Sequence, residues 1–206
     1  MNKNIVVILL LVLSGILVWL LLLWNPVTEQ LESKHQTLVL REAPTGGNFT
    51  LETRGKKISL KDFKGKIVLL YFGYTQCPDI CPTSLSLMSQ AFKQMSEAEL
   101  NKVQGLFISV DPSRDTPEKL AEYTTYFHPK IIGATSNKET IDKIVQLYGA
   151  SYRIVKSDSA MGYIVDHSSA TYVIDQQGKL RKILVHGTSP DIIRSVIRKL
   201  LSVSNN

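Results

Sequence analysis

Cysteine is nearly absent from this chain, since only two of its 206 residues, Cys77 and Cys81, are cysteines. A framework of several disulfides, which supports many small secreted domains, is therefore excluded. A single disulfide closing so short a loop would restrict the unfolded chain little, so it would stabilise a fold poorly. The pair is better explained by chemistry at the two thiols than by structural cross-linking.

Features of nucleic-acid-binding proteins are also missing. The chain carries a net charge of +6 at pH 7, but its basic residues are scattered along the sequence. No arginine-rich run and no basic helix face interleaved with aromatic residues is present, so we expect no nucleic acid among the partners. Internal repeats are absent as well, and the apolar N-terminal run is the only low-complexity segment.

One long apolar run begins the chain, and residues 5–24 contain no charged side chain. As a helix, about 20 residues span about 30 Å, the thickness of the hydrocarbon core of a bilayer. The run is longer than the core of a cleaved signal peptide, and neither a cleavage site nor a cysteine for lipid attachment is visible. We therefore predict a transmembrane signal anchor over residues 1–25. Lys3 precedes the run, so the positive-inside rule places the N-terminus in the cytoplasm.

The remainder divides into a tether and one domain. Residues 26–45 are polar, contain two prolines and show no clear periodicity, which predicts a tether. Residues 46–206, about 160 in number, have the size of one domain with its own core. No transit peptide is visible, so we predict a single-pass protein of a bacterial inner membrane with this domain in the periplasm.

Alternating strand and helix signals indicate an α/β domain. A hairpin is predicted first, from residues 49–53 and 57–59 around a turn at Gly55. Continuous apolar runs predict buried strands, and helical spacing or capping residues predict helices. In chain order the predictions are strand 66–72, a helix from 82, strand 103–110, helix 116–127, strand 131–134, helix 137–148, strands 170–174 and 180–185, and a helix over 189–202. This order predicts a central sheet covered by helices on both faces.

Both cysteines follow the buried strand 66–72 and stand at the start of a predicted helix. Free N–H groups and the helix dipole at such a position stabilise a thiolate. If residues 77–81 are helical, the two sulfurs lie on one face about one turn apart. That spacing allows the thiols either to bind one metal ion or to form a disulfide.

A histidine is the expected third ligand of such a metal site. Two thiolates with one imidazole suit copper(I), and the set is also reasonable for zinc or copper(II). We expect surface roles for His35, in the tether, and for His128, at a helix end. His167, after an apolar run, and His186, at a strand end, remain as candidates. Asp166 should point to the face opposite His167 if the segment is extended, so the acceptor for the second ring nitrogen stays unidentified.

Three segments resemble the signature segments of the Sco/SenC family. They are Phe72-Gly73-Tyr74-Thr75-Gln76-Cys77-Pro78-Asp79-Ile80-Cys81-Pro82, Ser109-Val110-Asp111-Pro112-Ser113-Arg114-Asp115-Thr116-Pro117 and Val165-Asp166-His167-Ser168. Members of that family are membrane-anchored, thioredoxin-like copper proteins that help to assemble the copper centre of cytochrome c oxidase. The resemblance covers residues 45–202 together with the preceding anchor.

The resemblance implies a thioredoxin-like fold and a copper site, for Cu(I) or Cu(II), whose ligands are Cys77, Cys81 and His167. A thiol pair can be metal-bound, free or disulfide-bonded, which makes copper loading redox-dependent, so we also expect Cys77 and Cys81 to form a redox-active disulfide. The expected partners are the copper-bearing subunit of cytochrome c oxidase and another copper chaperone or a thiol reductant. The family commonly has histidine where this chain has Gln76, a difference that leaves the ligands unchanged but bears on redox tuning or partner fit.

Residues 109–117 and Asp79 are expected to support the site without binding the metal. Asp111 should turn the chain off its strand, and Asp115 and Thr116 should cap the next helix. We expect Arg114 to pair with a carboxylate or to face the site. Asp79, between the cysteines, is either a turn residue or a group that adjusts thiolate stability.

The alternative function is that of a thiol–disulfide oxidoreductase acting on the oxidase subunit or on another exported protein. A thioredoxin-type reductase places a cis-proline opposite its dithiol, and no proline occurs between Pro129 and Pro190. A peroxiredoxin has threonine three residues before its cysteine, whereas Thr75 stands two before Cys77. Both comparisons favour metal handling, so we expect a metallochaperone without catalytic residues rather than an enzyme.

Overall fold

The computed structural model of the chain describes residues 3–23, 44–158 and 162–203. These residues belong to two compact units, one ending at Glu42 and the other beginning at Ala43. The predicted tether, residues 26–45, lies almost entirely outside the described residues, and so does His35.

The first unit contains a single described helix, α1 (Lys3–Leu23), which coincides with the apolar run of the sequence. Across the described parts of the chain, no helix meets the length and apolarity that crossing a membrane requires. The transmembrane anchor over residues 1–25 therefore stays a prediction.

The second unit alternates strands and helices in nearly the predicted order. It contains β1 (Thr50–Thr53), β2 (Lys56–Ser59), a 3-10 turn (Leu60–Phe63), β3 (Ile67–Gly73), α2 (Ile80–Lys93), α3 (Glu97–Leu100), β4 (Val103–Ser109), α4 (Pro117–Phe127), β5 (Ile131–Ala134), α5 (Lys138–Leu147), β6 (Tyr152–Lys156), β7 (Tyr163–His167), β8 (Thr171–Ile174), β9 (Leu180–Leu184) and α6 (Pro190–Val203).

The central sheet has five strands in the order β5-β4-β3-β8-β9. Strands β3, β4 and β5 are parallel, whereas β8 runs antiparallel to both β3 and β9. All residues of β3 and β4 are buried, as expected for apolar central strands covered on both faces. The predicted N-terminal hairpin is confirmed as β1–β2, with Gly55 at a φ of 83° in its turn.

Helices cover both faces of the sheet, as predicted. On one face Phe107 of β4 packs against Tyr123 of α4, with ring centroids 5.5 Å apart. On the other face Phe72 of β3 contacts Tyr148, the residue after α5, at a centroid distance of 6.1 Å. Adjacent residues of a strand point to opposite faces, so Tyr71 lies on the first face with Phe107, and their rings stack.

The 3-10 turn, the short helix α3 and the hairpin formed by β6 and β7 were not predicted. The hairpin is a two-stranded antiparallel sheet of its own, and His167 is its last residue. Its signal in the sequence is the alternation of Tyr152 and Ile154 with Arg153 and of Val165 with Asp166. That signal is weak because β6 is largely exposed and contributes little apolar surface to the core.

Candidate metal centre

The two cysteines lie where β3 ends and α2 begins, at the carboxyl edge of the sheet. Cys77 belongs to the connecting loop, and Cys81 occupies the first turn of α2. The backbone N–H of Cys81 donates to Cys77 Sγ at 3.4 Å, so the start of the helix supplies a hydrogen bond to sulfur. Both thiols are free, with Cys77 only 8% exposed and Cys81 fully buried.

Gly73, the last residue of β3, makes room for the second thiol. A Cβ at this position would lie 2.6 Å from Cys81 Sγ and 2.7 Å from Cε2 of Phe107. Any side chain at position 73 would therefore displace the sulfur or the aromatic ring. The glycine before the cysteine loop is thus explained by the close approach of α2 to β3.

His167 brings the third ligand atom to the thiols from the end of β7. Its Nε2 lies 3.3 Å from Cys81 Sγ, and the ligand atoms of Cys77, Cys81 and His167 all lie within 4.8 Å of one another. Nδ1 lies 3.1 Å from the carbonyl oxygen of Ser168. Because a carbonyl only accepts, Nδ1 carries the proton and Nε2 presents its lone pair to the sulfurs.

The acceptor that the sequence left unidentified is therefore the backbone carbonyl of Ser168. Asp166 points away from the site, as expected from strand alternation, and pairs with Arg153 at 2.8 Å. A backbone acceptor fixes the tautomer of His167 without adding a charged group beside the ligands.

Aromatic rings enclose the imidazole. Tyr71 and Tyr74 contact His167 edge-on, with centroid distances of 6.2 Å and 5.8 Å. Both tyrosines are buried, and burial raises the pKa of each phenol. The site therefore has neutral, largely water-excluding walls that strengthen electrostatic interactions between its ligands.

The two thiols differ strongly in acidity. A hydrogen bond from Cys81 is the main cause that lowers the pKa of Cys77 to about 4, and the backbone N–H groups of Cys81 and Asp79 add to it. Burial raises the pKa of Cys81, and the neighbouring Cys77 thiolate raises it further. At neutral pH the metal-free pair thus holds one thiolate and one thiol, and a metal must displace the proton of Cys81.

The other described histidines do not join this cluster. His186 lies with Nδ1 3.0 Å from Ser84 Oγ, so the rival ligand suggested by spacing is engaged elsewhere. The expectation of a surface role for His128 is wrong, because its ring is buried edge-on against Phe92. Its Nδ1 accepts from the N–H of Lys130 at 3.1 Å, which gives this ring nitrogen a hydrogen-bond partner.

The segment after β4 supports the cysteine loop in a way that the sequence did not reveal. Asp115 was expected to cap the next helix, but Thr116 alone caps α4, by accepting from the N–H of Lys119. Asp115 is buried and instead accepts from the N–H of Thr75 at 2.9 Å and from Ser109 Oγ at 2.7 Å. These bonds hold the start of the cysteine loop against the end of β4.

Comparison with known proteins places the chain in a family. The sequence model of the SCO1/SenC family matches residues 39–202. The chain belongs to this family. It is 37% identical over 198 residues to the SCO2-like protein of Rickettsia felis, a match that covers 95% of each chain. It is 38% identical over 174 residues to the mitochondrial SCO2 homolog of Bos taurus, across 83% of this chain and 65% of the bovine protein.

A solved structure confirms the fold of this SCO1/SenC chain. The crystal structure of Arabidopsis thaliana ScoI with copper bound is 35% identical, with a TM-score of 0.71, over 76% of this chain and 98% of that one. The predicted thioredoxin-like α/β architecture is confirmed. The chain spans just under two thirds of the bovine relative's length.

The donor set determines what this centre can bind. Two sulfurs and one imidazole nitrogen form a soft, three-coordinate set, which favours copper(I) over hard cations such as Mg²⁺ or Ca²⁺. The aromatic walls and the buried sulfurs limit the access of water. Within the described residues, Cys77, Cys81 and His167 are the one group of three cysteine, histidine or acidic side chains close enough together to hold a metal ion.

Proposed function

We propose that this protein binds copper through Cys77 Sγ, Cys81 Sγ and His167 Nε2 and acts as an assembly factor for cytochrome c oxidase. The observation that carries the proposal is the convergence of these three atoms within 4.8 Å of one another in a buried cluster. Membership of the SCO1/SenC family and the copper-bound relative support copper as the metal.

The arrangement suits transfer of copper as cargo. Cys81 is fully buried, but Cys77 is 8% exposed and His167 is half-buried, so a partner can approach from their side. Copper held by few ligands passes between sites when an incoming thiolate or imidazole replaces them one at a time. The partner in this proposal is the copper-bearing subunit of the oxidase, whose site the protein fills or prepares.

The proposal includes attachment to a membrane. Residues 1–25 act as a signal anchor, residues 26–45 as a tether and residues 46–206 as the copper domain on the periplasmic side of a bacterial inner membrane. The uncharged run 5–24 and Lys3 before it support this topology. The domain is accordingly expected to remain with washed membranes and to be digested by protease added from the periplasmic side.

A thiol–disulfide oxidoreductase is the second candidate, and the acidity of Cys77 is the observation that favours it. A thiolate with a pKa of about 4 is available at every physiological pH, and the sulfurs of Cys77 and Cys81 lie within 4.8 Å of each other. In that role the pair cycles between dithiol and disulfide with another chaperone or a thiol reductant. The two roles share the same residues and are compatible.

Copper stoichiometry and spectra of the purified, reduced full-length chain test the proposal. We expect about one copper per chain and a thiolate-to-copper charge-transfer band for Cu(II). The band should be altered in His167→Ala and unchanged in the matched control His186→Ala. Failure of the wild-type chain to retain copper, together with ready cycling of Cys77 and Cys81 against a thiol, would favour the oxidoreductase instead.

A further inference from the structure

The ligands of the copper centre come from two pieces of structure that share no strand pairing. Cys77 and Cys81 follow β3 of the central sheet, whereas His167 ends the separate β6–β7 hairpin. The end of the hairpin at His167 is joined to β8 through residues 168–170, and Thr171 pairs with Tyr71 of β3. Side-chain contacts are therefore needed mainly to hold the other end of β7, where the strand begins. Arg114, in the loop between β4 and α4, makes the central contact.

Arg114 contacts Tyr163, the first residue of β7, in two ways. Its guanidinium carbon lies 3.6 Å from the centre of the Tyr163 ring, and its Nη1 donates to the Tyr163 carbonyl at 3.1 Å. Arg114 also forms an ion pair with Asp111. Tyr163 closes the cluster, because its hydroxyl donates to Asp111 Oδ1 at 2.8 Å.

The same guanidinium reaches the cysteine loop. Nη1 of Arg114 donates to Gln76 Oε1 at 3.0 Å, and Gln76 is bonded directly to Cys77 in the chain. The guanidinium also lies 5.6 Å from the ring of Tyr74, which flanks His167. One side chain thus contacts the hairpin, the cysteine loop and the aromatic wall.

Burial makes these contacts effective. The side chain of Arg114 is 15% exposed and that of Asp111 is 2% exposed. Charge-assisted hydrogen bonds are stronger and more directional when water is excluded. A planar guanidinium can stack on a ring and donate in several in-plane directions at once, which a lysine ammonium cannot do.

We propose that Arg114 is a positioning residue that holds the β6–β7 hairpin against the cysteine loop and so places His167 at bonding distance from a metal held by the two thiols. This inference rests on the proposed copper function and deepens it. Without Arg114 the two sulfurs remain together on α2 and its loop, but the imidazole loses its fixed position. The third ligand is then lost part of the time. The affinity for Cu(II) should fall more than the affinity for Cu(I), because two thiolates can hold Cu(I) alone.

The test compares Arg114→Met with Arg153→Met in the full-length chain. Arg153 is a matched control, because it lies on the same hairpin but is 77% exposed and pairs with Asp166 across the two strands. We expect Arg114→Met to retain Cu(I), to bind Cu(II) about tenfold more weakly or worse, and to shift the charge-transfer band toward that of His167→Ala. Arg153→Met should match the wild type in all three measurements.

Two further variants keep the test decisive if Arg114→Met fails to fold. Arg114→Lys keeps the charge opposite Asp111 but cannot both stack on Tyr163 and reach Gln76, so the band should still shift. Tyr163→Leu leaves the Arg114–Asp111 pair in place and should shift the band in the same direction. A wild-type spectrum and Cu(II) affinity in these variants would overturn the inference.

Hydrogen exchange of the metal-free chain tests the positioning role of Arg114 independently of copper binding. Arg114→Met should speed amide exchange in residues 152–156 and 163–167 and leave β3 and β4 unchanged, because the hairpin opens locally. If wild-type protein binds no copper, the copper function fails whatever the hairpin does. If copper binds but neither exchange nor spectrum responds to Arg114→Met, the positioning role alone is wrong.

Discussion

Cys77 and Cys81 are chemically identical in the sequence, yet their surroundings give them opposite acid–base properties. Cys77 receives hydrogen bonds from Cys81 and from the start of α2, which stabilise its thiolate. Cys81 lies fully buried beside that thiolate, and both circumstances favour its neutral form. The pair is therefore prepared to bind a cation at one sulfur before the second loses its proton.

A pH titration of the metal-free, reduced chain checks this asymmetry. Because Cys77 has a folded pKa of about 4, below its value in the unfolded chain, it should react with an alkylating reagent at a nearly constant rate from pH 5 to pH 8. Its thiolate should contribute stability that is complete above the unfolded pKa, about 8.5, and is lost as pH falls toward 4. Ultraviolet thiolate absorbance and alkylation rates measure the ionisation of Cys77. Urea unfolding at each pH measures its contribution to the free energy of unfolding.

Cys81→Ala provides the control for that titration. It removes the main hydrogen-bond donor to Cys77, so the pKa of Cys77 should move up toward the ordinary thiol range. An ordinary thiol titration in the wild type, or no change in Cys81→Ala, would contradict this assignment.

At the scale of elements, the site is built where the carboxyl ends of neighbouring parallel strands meet. Gly73 of β3 pairs with Ser109 of β4, and the cysteine loop and the Asp111–Asp115 segment leave the sheet side by side. Asp115 connects these two loops through Thr75 and Ser109. The motif after β4 therefore supports the ligands although none of its residues belongs to the ligand cluster.

Gly73→Ala tests how closely α2 must approach β3. The added Cβ would overlap Cys81 Sγ at 2.6 Å, so we expect a loss of about 1–3 kcal/mol in the free energy of unfolding and weaker copper binding. Urea unfolding of the apo chain and a copper titration measure the two effects. In the control Gly47→Ala, the nearest atom is Leu147 Cδ1 at 3.4 Å, so both quantities should stay near the wild type. Copper affinity unchanged in Gly73→Ala would show that Cys81 does not need this contact.

For the domain as a whole, a metal at the centre would join parts that are distant in the sequence. Cys77 and Cys81 lie on the loop and α2, and His167 lies on the hairpin, whose Val165 belongs to the buried core. A ligand that binds only the folded chain stabilises it by mass action. Copper is therefore expected to stabilise the hairpin and the central sheet together.

Copper(I) added to about 100 times its dissociation constant should raise the free energy of unfolding by about 2.7 kcal/mol. For a domain of this size the thermal midpoint should rise by roughly 5–10 °C, and a copper(I) chelator should reverse the rise. Calorimetry of the reduced chain gives both values. The variant lacking both cysteines, Cys77→Ala with Cys81→Ala, should show no rise, and an equal rise there would mean that copper acts elsewhere.

The sequence predicted much of this architecture because the signals concerned are local. Apolar runs marked β3 and β4, Thr116 and Pro117 marked the start of α4, and Gly55 marked the first hairpin turn. The β6–β7 hairpin was missed because β6 is short and mostly exposed, and because the apolar run of β7 is only three residues long. Its position is decided by contacts with residues some fifty positions away, such as Tyr163 with Asp111.

By itself the sequence determined that the chain carries one cysteine pair at a strand-to-helix junction, with a soft ligand set suited to copper. Those properties follow from residue type and spacing. Residue spacing left His167 and His186 open, and the family resemblance pointed to His167. Only the tertiary structure brings His167 next to the sulfurs, orients its ring with the Ser168 carbonyl and connects hairpin and loop through Arg114. These contacts join residues far apart along the chain, and their geometry exists only after the core has packed.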